Sequence, residues 1–152
     1  MTSILAAVRP DSWNFPLFVH VLGAMILVGG LLAGASILLY ARGDTRSLRL
    51  GYWTLLLVAF PGYIVMRIGA QWIYSKEGWE DLGDDPTWIG IGFIVADLGA
   101  LLTLIALILG GIGVRRLRSG GGTGLLKAAM VIAWVVLAAA LVAVWAMAGK
   151  PD

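Results

Sequence analysis

His20, Tyr63, Arg67, Gln71 and Asp97 are the side chains of this sequence whose types and spacing could do chemistry. His20 is the sole histidine. Tyr63, Arg67 and Gln71 follow one another at i+4, so on a helix they form one polar stripe. Arg67 and Asp97 are a cation and an anion placed inside apolar stretches, where each costs roughly 2.5–3.5 kcal/mol to insert alone. Together they could hold a small polar ligand, and an imidazole beside them could carry a proton or ligate a metal.

For a metal, His20 would work with Met66. Histidine–methionine ligation suits haem, and the soft thioether suits copper(I). A bis-histidine haem would need a second copy of the chain, since one histidine is all the sequence offers. Met66 neighbours Arg67, so the two point about 100° apart on a helix.

Nothing equally concrete supports catalysis. There are no cysteines, which removes thiolate nucleophiles, disulfides and thiolate metal sites. No serine, histidine and aspartate fall at a common depth, because Ser36 lies more than four helical turns from His20. A proton path from His20 and Asp97 would find only Ser36, Thr54 and Thr103 further in. The sequence favours a non-enzymatic role. A net charge of +2 without a basic, aromatic-interleaved stripe gives no nucleic-acid surface.

These residues must be positioned by membrane-spanning helices. The chain is 60% hydrophobic and 13% charged, against roughly 25% charged in soluble domains. The apolar residues come in four blocks, about 15–41, 51–74, 88–114 and 125–148, each long enough to cross a bilayer. In lipid each must be a helix, since no backbone amide or carbonyl there finds an outside partner. Short connections predict an all-α, up-and-down four-helix bundle, one domain over 1–152. Ile4–Val8 is too short for the apolar part of a signal peptide, and Arg9-Pro10-Asp11 interrupts it. Ser119–Gly124, SGGGTG, lacks the lysine and preceding strand of a phosphate loop and reads as a turn.

Charge orients the bundle. Arg42, Arg46 and Arg49 lie in the first connection; Arg115, Arg116 and Arg118 lie in the third, with Lys127 just beyond. The middle connection carries Glu77, Glu80, Asp81, Asp84 and Asp85. Positive loops stay inside, which predicts that loops 42–50 and 115–124 are cytoplasmic in a plasma (inner) membrane and that both termini are outside. Measured from the outer span ends, His20 lies about 7 Å deep, Arg67 about 10 Å and Asp97 about 13 Å, at the helical rise of 1.5 Å per residue.

Small residues indicate which faces pack. His20 shares a side with Gly23, Gly30 and Gly34, and Gly30–Gly34 is a small-xxx-small pair that lets a helix approach closely. Ala129, Ala133, Ala139 and Ala143 give the fourth span a similar face. Such faces could also serve a homo-oligomer or a larger membrane complex. Pro61-Gly62 predicts a kink just before Tyr63.

Two accounts of the polar cluster remain open. In one it is an outward-facing site for a small ligand, haem or a metal ion. In the other, Arg67 and Asp97 form a buried ion pair, His20 and Gln71 satisfy its remaining donors and acceptors, and the cluster only fixes helix register in a structural or accessory subunit.

The segment LFVHVLGAMILVGGLLAG, with His20, Leu22-Gly23-Ala24 and Gly29-Gly30, resembles the first helix of small bacterial four-helix membrane proteins, among them the copper-resistance D-type membrane domain. FPGYIVMRIGAQW, Phe60–Trp72, is similar to their second helix. The resemblance spans about the first half of the chain. It implies a bacterial four-helix membrane fold and metal handling at the outer face.

Overall fold

The four apolar blocks become four helices, and among the described residues there is no strand. The computed structural model describes residues 10–79 and 86–150. After a short turn of 3-10 helix at Asp11–Trp13 comes α1, Asn14–Tyr40. α2 runs Thr45–Glu77, α3 runs Thr87–Arg118 and α4 runs Gly124–Gly149. All four are long and apolar enough to cross a membrane. Glu80, Asp81, Asp84 and Asp85 of the acidic connection lie outside the described residues, as do residues 1–9.

The second and third helices are longer than their apolar spans. α2 starts at Thr45 rather than near Gly51, because Asp44 accepts the Ser47 amide at 2.8 Å and caps the helix. α3 continues through Arg115 and Arg116 to Arg118. Charge marks where an apolar surface ends; it does not end a helix, and cations at a helix C-terminus favour its dipole.

Paired contacts fix the directions. Down the α1–α2 interface, His20 meets Gly69, Gly23 meets Met66, Gly30 meets Ala59 and Leu38 meets Gly51, which is antiparallel. Down α3–α4, Gly92 meets Met147, Gly99 meets Val136 and Gly113 meets Leu126, again antiparallel. α1 also packs on α4. α2 and α3 touch near the start of α2 and the end of α3, where the Tyr52 ring lies in the notch of Gly110 and Gly111.

The α1–α2 contact is backbone against backbone. A methyl group added to Gly30 would come within 2.6 Å of the Ala59 amide nitrogen, and one added to Gly62 within 2.6 Å of Leu27 nitrogen. Lacking an aqueous hydrophobic drive, membrane helices associate through such close approach. The expected Gly30–Gly34 packing face is therefore filled by α2 of the same chain.

Pro61 does not break α2. Leu55–Ala59 widens into a π-helical turn, with the Phe60 amide reaching back to Leu55 carbonyl, and α-helix resumes at Phe60. The wide turn absorbs the carbonyl that proline cannot bond and re-aims everything beyond it.

All four helices meet at Leu31, Leu55, Ala59, Thr103, Leu107 and Ala133 around a cavity of about 10 Å³. Thr103 is buried there, and its hydroxyl has no partner among the described residues. Leucine, valine and alanine otherwise line the junction.

Candidate functional site

The C-terminal half of α2 projects its i+4 stripe towards α3, and the two helices meet there through polar and aromatic groups. Arg67 Nη2 lies 3.0 Å from Asp97 Oδ1. The guanidinium carbon sits 5.1 Å from the centre of the Phe93 ring, a cation–π distance. Tyr63 donates its hydroxyl to the Ala96 carbonyl at 3.3 Å. Tyr74 packs edge-on to Phe93, centroids 5.2 Å apart.

The pair is not buried, contrary to the register account. The Asp97 side chain is 65% exposed and that of Arg67 is 31% exposed. The reason is packing: beyond the π-helical turn the small-residue contacts of α2 all go to α1, through Gly62 and Gly69. α3 is drawn to α4 instead. At this level α2 and α3 approach each other little and are joined along this row of side chains, with the Asp97 carboxylate exposed on the flank of the bundle.

Depths also match more closely than the span ends imply. Arg67 lies ten residues before Glu77, and Asp97 ten residues after Thr87. Both are about 15 Å from their helix ends at 1.5 Å per residue.

His20 is held elsewhere. Its Nδ1 lies 3.0 Å from the Met66 carbonyl oxygen, across the α1–α2 contact. A carbonyl only accepts, so Nδ1 carries the proton and Nε2 is bare in the neutral ring. His20 therefore does not satisfy the ion pair; it ties α1 to α2 one residue from Arg67. Gln71 is exposed one turn after Arg67 on α2 and has an interaction partner of its own.

As a metal centre the arrangement is incomplete. His20 meets Met66 through the backbone carbonyl, and Met66 packs on the apolar core. Among the described residues no group of three or more histidines and carboxylates gathers.

Phe93 is the member of the site that the charged and polar residues alone do not reveal. It precedes Asp97 by four residues, so an i, i+4 search on α3 finds it. Comparison with protein-family models, with curated proteins and with solved structures finds no match.

Proposed function

We propose that this chain is a multi-pass protein of a bacterial plasma membrane that binds a small zwitterionic ligand in a crevice between α2 and α3, beside the Arg67–Asp97 pair, on the outer side. The observation that carries this is the exposed Arg67–Asp97 pair standing over the Phe93 ring. The guanidinium offers a bidentate seat for a phosphate or carboxylate. Asp97 offers an acceptor for an ammonium, and the Phe93 and Tyr74 rings give it an electron-rich wall.

Depth supports an opening to water. The basic ends of α2 and α3, taken as cytoplasmic, give a place to count from. About 20 residues cross the hydrocarbon, which from Arg49 reaches Gly69 and from Arg115 reaches Val95. Arg67 and Asp97 then each lie about 3 Å inside the outer hydrocarbon boundary. Charges there avoid most of the cost of the bilayer centre.

The Gly23, Gly30 and Gly34 face, which an accessory subunit would use to dock, is spent inside the chain. Ala129 and Ala133 of α4 are likewise buried, while Ala139 and Ala143 are partly exposed. This favours a site over a scaffold role.

The test is thermal unfolding of the purified protein in neutral detergent with phosphoethanolamine, and with inorganic phosphate as control. Phosphoethanolamine is expected to raise the melting temperature in proportion to its occupancy, and Arg67→Leu or Asp97→Leu to abolish the rise. Equal stabilisation by inorganic phosphate, or a rise that persists in both variants, would contradict a zwitterion site.

A further inference from the structure

The opposite, basic end of the bundle holds a second cavity, of about 400 Å³. It lies between the α1–α2 turn and the start of α4, lined by Leu38, Arg42, Leu48, Thr123, Leu126 and Lys127. Its floor is apolar, since Leu38, Leu48 and Leu126 are all buried. Its rim carries two cations, and among the described residues neither has an ion-pair partner.

Three further features suit this rim to an anion. Arg42 adopts φ +46°, a left-handed conformation that L side chains avoid and glycine takes freely. An arginine at such a position carries strain that glycine would not, an outlier of the kind that accompanies a use for the side chain. Thr123 precedes α4 without its side chain capping the helix, which leaves the first-turn amides without that acceptor. Asp44, the nearest acid in sequence, turns its carboxylate to the Ser47 hydroxyl at 2.6 Å and the Ser47 amide at 2.8 Å, and among the described residues it pairs with neither Arg42 nor Lys127.

We infer that this cavity seats the phosphate of an anionic phospholipid, with Arg42 and Lys127 on the headgroup and the leucines against the top of an acyl chain. Free phosphate shares the headgroup chemistry, but it has no use for a leucine floor. Leu39, a further lining residue, is 47% exposed on the side a lipid would enter. Basic pockets between membrane helices on the positive side of a bundle suit acidic lipid headgroups in charge and depth. The site is separate from the α2–α3 crevice and stands or falls independently of it.

The test uses the full chain in neutral detergent, titrated with phosphatidylglycerol, with phosphatidylcholine, or with soluble glycerol 3-phosphate, and followed by thermal unfolding. Phosphatidylglycerol should raise the melting temperature, while the other two should not. The rise should be lost in the Arg42→Gln, Lys127→Gln double variant and kept in Arg118→Gln. Arg42→Gly separates charge from folding: relief of the left-handed strain should make it at least as stable as the parent without lipid, yet less responsive to phosphatidylglycerol. Equal response to phosphatidylcholine would overturn the inference, and so would equal response to glycerol 3-phosphate or an undiminished response in the double variant.

Discussion

Arg67 and Asp97 meet at 3.0 Å across a gap between two helices that barely touch at that level, and Asp97 keeps 65% of its side chain exposed. A buried pair of this kind costs about 3–5 kcal/mol when one partner is removed. An exposed pair is typically worth under about 1 kcal/mol. The geometry places this one towards the lower figure. Arg67→Leu and Asp97→Leu should each lower stability in detergent by about 1 kcal/mol or less, with a coupling in the double variant of similar size. Losses of several kcal/mol from either single change would mean that the crevice is closed in the folded protein.

The glycines of α1 should divide sharply. Gly30→Ala puts a methyl group against the Ala59 backbone, whereas Gly29→Ala faces open space. Gly30→Ala should cost about 1–3 kcal/mol through overpacking. Gly29→Ala should be neutral or slightly stabilising. Thermal unfolding of the two variants side by side checks this, and equal effects would contradict the close α1–α2 approach.

The His20 tautomer is directly observable. Nitrogen-15 NMR of the labelled histidine should show the proton on Nδ1 at a pH where the ring is neutral. A proton on Nε2 would mean that the bond to the Met66 carbonyl does not form.

Asp44 gives a pH dependence of known sign. The Ser47 side-chain and backbone bonds hold its carboxyl below the usual carboxylate range. A carboxyl depressed in the folded state adds stability above its unfolded value, and that stability is lost as pH falls through the folded value. Asp44→Asn should keep the cap and remove this acid-range dependence, while Asp44→Ala should lose both. Melting curves between about pH 6 and pH 3 distinguish the three proteins. Identical pH profiles for parent and Asp44→Asn would contradict the assignment.

The four spans, and the closeness of Arg67 to Asp97, were legible in the sequence because both follow from local rules. Apolar length sets a span, and two charges in apolar helices seek each other. The exposure of the pair was not legible. It depends on which neighbour each helix prefers, and that is decided by Gly62 and Gly69 fitting α1 rather than α3. The same contact takes His20 out of the cluster, since its ring finds the Met66 carbonyl before it can reach across to Asp97. The π-helical turn before Pro61 was equally hidden, because proline forbids a hydrogen bond without saying how the backbone will adjust.

The connections also admit a check on orientation. Thr87 at the start of α3 is exposed, and Gly122 has open space around it, whereas a side chain at Gly121 would press on the Arg116 carbonyl. With basic loops inside, Thr87→Cys should react with an impermeant thiol reagent on intact cells, and Gly122→Cys only after permeabilisation. The reverse pattern would invert the bundle.

The chain has no native cysteine, so labelling at a single introduced one is free of background. Asp97→Cys tests the outward-open crevice most directly. The account predicts that an impermeant thiol reagent added to intact cells modifies Asp97→Cys, while Thr103→Cys, buried at the four-helix junction, stays unmodified. An Asp97→Cys protein that is folded yet unreactive, or reactive only from the cytoplasmic side, would contradict it.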